Sequence, residues 1–293
     1  MITINKNENL AIEKTKTGLR RGFIQIKSTV NFEIKRNLKN FFMMFVVLLI
    51  IYLMSMAINL IQEGRGADAP DDPVDYIKSY LILIDFLVMI IATTFGGSII
   101  AEDYNSQTGN LIFPKITKGR LFTGRLIARY LLSAVSVISY YLLVGITTAI
   151  KYNSLPGSIW ISMLWALLYT FLVLSFVAFF SSFMKSTSAT VVTSILLILI
   201  VFNLINSILM FTGVTWEPFF ILTYYSSIIT ESFAMPEERY VERALRSRTG
   251  SGPTYMSWIT PSVTGAIIGM LVYSAILLGF AYYFFRRRQQ KQG

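Results

Sequence analysis

The chain alternates long apolar stretches with short polar ones. Six apolar stretches, at 41–61, 79–100, 127–150, 158–183, 188–212 and 262–285, are each long enough to cross a bilayer. About 20 mostly apolar residues cover the roughly 30 Å hydrocarbon layer at about 1.5 Å of helical rise each. Hydrocarbon offers backbone N–H and C=O groups no partner, so each stretch must be helical. Helices buried in a soluble protein are a poor match, because they rarely run so far without a polar face. The pattern predicts an all-α polytopic membrane protein with six transmembrane helices. It divides into a cytoplasmic N-terminal arm (1–40), a six-span transmembrane domain (41–285) and a basic cytoplasmic tail (286–293).

Shorter patterns lie between the spans. Leu19, Phe23, Ile26, Val30 and Ile34 recur every three or four residues, the stripe of an amphipathic helix flanked by Arg20, Arg21, Lys27, Lys35 and Arg36. Directly before a span it should lie along the membrane surface, as an anchor among lipid headgroups or as a surface for a cytoplasmic partner. The apolar, aromatic stretch 218–234 follows Pro218 and is too short to span comfortably. It reads as a re-entrant or interfacial helix at the outer face. The charged stretch 236–248 reads as a solvated helix, with Glu242 and Arg246 in the favourable i,i+4 order, and 247–253 as a turn-forming linker. Its Arg239, Arg243, Arg246 and Arg248 are interleaved with Glu237, Glu238 and Glu242, which favours a solvated face over an acid-binding site. The acidic loop 62–78 lacks calcium-loop spacing.

Charge sets the expected orientation. Nineteen Lys and Arg fall in the arm, the second-to-third and fourth-to-fifth connections and the tail, against seven in the other loops. By the positive-inside rule both termini are cytoplasmic. The net charge of +10 is then mainly a topology signal and not one for nucleic acid. Only 14% of residues are charged, where a soluble domain carries about 25%. The first 40 residues lack the apolar core of a signal peptide. With no Cys and no His, the chain has no thiol nucleophile, no histidine base, no Cys/His zinc site and no disulfide. No catalytic residue and no metal site is expected.

The connection between the second and third spans is the other strong feature. Glu102-Asp103 ends a span; Thr108-Gly109 makes a small-residue turn; Leu111-Ile112-Phe113-Pro114 is a short apolar run; a basic turn, Lys115 to Arg125, enters the next span. An apolar run pinned between two spans would make a short stiff helix under the membrane, able to pass force from a cytoplasmic partner into both. An ordinary basic inner loop explains it equally well.

Here the sequence resembles the membrane subunits of type-2 ATP-binding-cassette exporters. Their inner loop carries a Glu, a Gly-Thr, a leucine-rich run and a Pro, then Val-Ser-Arg-Gly-Arg-Leu-Leu-Leu-Gly-Lys. Glu102 takes the acidic position, Thr108-Gly109 resembles the Gly-Thr pair in reversed order, and Pro114 sits one position early. Ile116-Thr117-Lys118-Gly119-Arg120-Leu121-Phe122-Thr123-Gly124-Arg125 follows the last stretch with conservative changes. The resemblance implies an interfacial helix carrying Leu19, Phe23, Ile26 and Val30, and a coupling helix between spans 2 and 3. It also implies small outer helices between spans 5 and 6. It assigns Glu102, Thr108, Gly109, Leu111, Pro114, Lys118, Arg120, Gly124 and Arg125 to coupling with an ATPase subunit. The chain has no G-x-x-x-x-G-K-[ST] phosphate loop, so it is not expected to be an enzyme or to bind a cofactor; ATP and Mg would belong to the partner ATPase. The resemblance further implies a homodimer with two ATPases, among lipids in a prokaryotic plasma membrane.

Inside the spans, Asp85 is an isolated acid, costly at that depth and usually functional unless it reaches the outer interface. Asn203 and Asn206 share one face of the fifth span, suited to interhelical hydrogen bonds or to a transport path. Tyr140, Tyr141, Tyr224, Tyr225, Tyr282 and Tyr283 fit an interfacial belt. An ion-gradient-driven secondary transporter would want intramembrane carboxylates or broken helices in both halves. It stands as an alternative, as does a non-transporting membrane scaffold.

Overall fold

The computed structural model describes residues 6–64, 70, 72–102, 117–212, 215–244 and 254–290. Helix α1, Lys6–Gly64, runs 59 residues without a break. The hydrophobic pattern separates a surface helix over 19–34 from a first span at 41–61, but the backbone joins them. Residues 35–40 hold no Pro or Gly, so nothing stops the helical hydrogen bonds.

The second apolar stretch is not one straight helix. It comprises α2, Pro73–Leu81, and α3, Ile84–Gly96, bent by 44° at Ile82 and Leu83. Asp72 caps α2 by accepting from the Val74 N–H, with Pro73 in the first turn. The break leaves the Tyr80 carbonyl at the end of α2, where the Tyr140 hydroxyl donates to it at 2.7 Å.

There follow α4, Lys118–Tyr152, and α5, Ser158–Phe183. Next come α6, Thr187–Leu196, a π-helical turn, Leu197–Phe202, and α7, Asn203–Thr212. Helix α9, Val263–Gln290, follows and continues as helix through 286–290 of the basic tail. Among the described residues, five helical stretches are long and apolar enough to cross a membrane: Arg20–Ile61, Lys118–Tyr152, Ser158–Phe183, Thr187–Leu209 and Val263–Arg287. The bent α2–α3 pair makes a sixth if it is one span.

Helices α4 and α5 form the middle. Helix α1 packs on α4, α9 on α5, and α3 against both. Gly96 and Gly97 allow the end of α3 to close on its neighbours. A Cβ at Gly96 would meet Val177 at 2.9 Å, and one at Gly97 would meet Val191 at 2.5 Å. The outward faces are apolar: Ile50, Leu53, Leu164, Ile200, Leu204 and Phe280 are all exposed. Exposed apolar surface on this scale is compatible with a membrane-embedded protein.

Between α7 and α9 the chain departs from its expected form twice. The stretch 218–234 is a 3₁₀ turn, Leu222–Ser226, followed by the short α8, Ser227–Glu231, and not a single helix. Leu222, Tyr225, Ile228 and Ile229 are fully buried, and the Ser162 hydroxyl on α5 donates to the Ile229 carbonyl at 2.7 Å. Irregular backbone is thus covered by protein. Next, β1, Tyr240–Ala244, pairs antiparallel with β2, Thr254–Trp258, where a solvated helix was expected. The rings of Tyr240 and Trp258 face across the strands at 5.0 Å. The Ile259 N–H donates to Arg239 O at 2.8 Å. Such pairings outweigh an i,i+4 Glu–Arg contact worth about 0.2–0.5 kcal/mol. Arg239 lies over the Trp258 ring and pairs with Glu217, so this guanidinium is engaged by the chain itself. Arg243 lies on β1, and Arg246 and Arg248 lie outside the described residues.

Four of the six belt tyrosines are interior. Tyr140, Tyr141, Tyr224 and Tyr225 are buried, and Tyr141 shares a hydrogen bond with Ser162 at 2.9 Å. Tyr282 and Tyr283 remain exposed.

Candidate functional site

Two polar sites sit at opposite ends of α3. The first begins with the geometry of α1. Its buried face is Gly22, Thr29, Glu33 and Asn37, whereas Ile26 and Val30 are half-buried and Phe23 is 71% exposed. At 100° per residue this buried face is rotated roughly 60° from the apolar stripe. Leu19 lies on the same helix. Small residues let α1 and α4 approach closely. A Cβ at Gly124 would stand 2.8 Å from the Thr29 Cβ, and one at Gly22 would stand 3.0 Å from the Arg120 guanidinium. Gly124 therefore serves packing against α1.

Within this contact lies a buried charge cluster. Glu33 is 1% exposed and holds Arg125 at 3.2 Å, Arg129 at 3.3 Å and Arg36 at 2.8 Å. Arg36 also reaches Glu102 at 2.8 Å, and Arg129 reaches it at 3.5 Å. The Asn37 amide donates to the Glu33 carbonyl oxygen at 2.8 Å. Pairing of this quality is what lets ions stay charged away from water. Arg129 Nε and Nη1 have no hydrogen-bond partner among the described residues.

The end of α3 is tied into the same cluster. The chain unwinds after Gly97, and Ser181 of α5 satisfies the freed groups. Its hydroxyl oxygen accepts from the Ile100 and Ala101 N–H groups, each at 3.0 Å, and donates to the Gly97 carbonyl at 3.1 Å. Arg125 Nη1 donates to the Ile99 carbonyl at 3.1 Å. Arg120 Nη1 donates to the Gln25 side chain at 2.8 Å. Lys118 opens α4 and is half-buried.

Of the expected coupling residues, Glu102, Arg120, Gly124 and Arg125 meet at this junction. Thr108, Gly109, Leu111 and Pro114 lie outside the described residues. Glu102 and Arg120 hold the two flanks of the connection to α1, where the sequence had suggested surfaces for a partner. Glu33, Arg36, Arg129 and Ser181 are further members that sequence reasoning missed. The available signal for Glu33 was a small-polar stripe beside the apolar one, ending in a carboxylate three residues before Arg36.

The second site gathers all three polar residues singled out within the spans. A cavity of about 250 Å³ is lined by Asp85, Asn203, Asn206, Thr223 and Ser226. Each arrives through a local irregularity. Asp85 is in the first turn after the bend, Asn203 follows the π-helical turn, and Ser226 ends the 3₁₀ turn. Irregular turns of this kind recur at functional sites. The Ser226 hydroxyl meets Asp85 Oδ2 at 2.8 Å and the Thr223 carbonyl at 2.7 Å, so one donor is shared between two acceptors. The Asn203 amide nitrogen donates within its own helix to Leu199 O at 2.8 Å, not to a neighbouring helix.

Compared with protein-family models and with curated proteins, the chain matches none.

Proposed function

We propose that the chain is the membrane-spanning permease subunit of an ATP-binding-cassette transporter. In this reading it is an exporter subunit that moves substrate on ATP hydrolysed by a separate subunit docked at a coupling helix in the connection between α3 and α4. Two copies and two ATPases would make the working unit. The observation that carries the reading is the Glu33-centred junction. Through it α1 and both flanks of that connection are locked together, Glu102 by Arg36 and Arg129, and α4 by Glu33 and Gln25. A push on the connection then reaches α1, α3 and α4 as one body. ATP binding can shift a membrane domain only through such contacts that differ between states.

A second reading, an ion-gradient-driven transporter, is favoured by one specific feature. A bent helix carrying a carboxylate and an interrupted helix carrying two amides line the same cavity, one from each half of the chain.

A mild-detergent pull-down of the tagged chain from its native membrane separates the two. The permease reading expects a stoichiometric partner bearing a phosphate-loop ATPase sequence. It also expects Glu102→Ala and Arg120→Ala to cut transport-linked ATP hydrolysis tenfold or more while the chain still folds in the membrane. A chain that comes down alone in several detergents sinks the permease reading and leaves the gradient-driven one.

A further inference from the structure

We propose that the Asp85 cavity binds the ammonium head of a cationic amphiphile, a singly charged amine or quaternary ammonium carrying an apolar tail. This deepens the transport reading and rests on it only for the claim that the bound cation is carried; binding itself needs neither an ATPase nor a gradient.

Four observations converge. Among the described residues, Asp85 is the only charged one lining the cavity, and no Lys, Arg or His lines it. With Asp85 ionised the lining carries one net negative charge, and a cation entering beside it is attracted more strongly there than in bulk water. Next, acceptor capacity is left over. An ionised carboxylate offers about four lone-pair sites, and the described side chains supply one donor, the Ser226 hydroxyl, shared with Thr223 O. Asn203 gives one of its two amide N–H groups to Leu199 O, and its side-chain oxygen makes no hydrogen bond among the described residues.

Third, Phe86 and Tyr169 line the same space, and aromatic faces attract ammonium groups through the ring quadrupole. Fourth, the rim is apolar and open. Ile82, Leu83, Phe86 and Leu199 all line the cavity and are exposed, Ile82 at 76%. At about 250 Å³ the cavity is below the roughly 300–1,000 Å³ of whole-ligand sites, so it takes a head while the tail lies along the rim.

The charge balance also decides between related ligands. A divalent metal would want several carboxylates, and no cluster of three candidate ligands gathers among the described residues. A zwitterionic lipid head brings a phosphate beside the ammonium. With no cationic side chain among the described residues of the lining, that phosphate would face Asp85 unpaired.

The test is equilibrium binding of tritiated dodecyltrimethylammonium to the full chain in dodecyl maltoside, by scintillation proximity. Saturable binding is expected, weakened at least tenfold by Asp85→Asn, about 1.4 kcal/mol. Asn203→Lys should weaken it comparably by placing a tethered ammonium in the cavity. That variant leaves the Asp85–Ser226 hydrogen bond alone and carries the test if Asp85→Asn does not elute as a folded species. Dodecylphosphocholine at equal concentration should not displace the label. No saturable binding, equal binding by wild type and both variants, or full displacement by dodecylphosphocholine would each overturn the assignment. None of these results touches the pull-down or the ATP-hydrolysis readout, so this inference and the permease reading fail separately.

Discussion

The charged junction around Glu33 and the cavity around Asp85 answer one problem, a carboxylate among apolar helices, in opposite ways. At the junction two carboxylates sit among three guanidiniums, and Glu33, Arg125 and Arg129 are each at most 3% exposed. Arg36, Arg125 and Arg129 supply the counter-charges of Glu33. At the cavity a single carboxylate receives a single shared hydroxyl and opens onto about 250 Å³ of space. Opposite charges paired this way fix helices to one another, although Arg129 Nε and Nη1 stay without partners among the described residues. An open carboxylate contributes little to the fold and keeps its capacity for something from outside. Scarcity of charge alone does not separate these roles; the source of the partners does.

That contrast predicts unequal stability losses and is broken by equal ones. Glu33→Ala leaves Arg125 and Arg129 buried without their main counter-charge. It should cost about 3–5 kcal/mol, read as a large fall in the thermal unfolding midpoint of the detergent-solubilised chain. A loss as small as that of Asp85→Asn would erase the distinction. Gly124→Leu forces α1 off α4 at a contact where even a Cβ meets Thr29 at 2.8 Å, for about 1–3 kcal/mol. Gly145→Ala, whose new Cβ would meet only ordinary contacts at 3.6 Å and beyond, is the steric control and should not destabilise, since Ala favours a helix interior over Gly. Asp85→Asn sits at the bottom of the scale. Its unfolding midpoint should move by no more than about 0.5 kcal/mol equivalent while ligand binding is lost, the signature of a group held for function.

Much of this was readable in the residues because it depends on local period. The apolar stretches gave the membrane-length helices, and isolated polar residues inside them, Asp85, Asn203 and Asn206, turned out to share one cavity. Glu102 and Arg125 were found through a motif, and the structure brings them within one cluster. The misses are of another kind. Glu33 looks like one more charge on a basic arm until α4 supplies Arg125 and Arg129 from 92 and 96 positions away. Ser181 is an ordinary hydroxyl until the end of α3 unwinds beside it. The hairpin was misread because 236–248 was weighed without its partner strand. The bend at Ile82 and Leu83 carries no Pro or Gly, and the Tyr140 hydroxyl that serves it comes from another helix. In each case the deciding partner is distant in sequence, where periodicity is silent.

The unbroken course of α1 has a mechanical consequence. Between Arg20 and Asn40 the helix extends about 30 Å beyond the apolar stretch of sequence that begins at Phe41, with no joint between the two parts. A tilt of about 10° at Phe41 would swing the Arg20 end through roughly 5 Å, because a helix of this length moves as a rod. The Glu33–Arg125–Arg129 cluster lies partway along that rod, where the arm is bolted to α4. Leverage then runs both ways: a small displacement inside the apolar layer is magnified at Arg20, and a load applied there returns to the helices as torque.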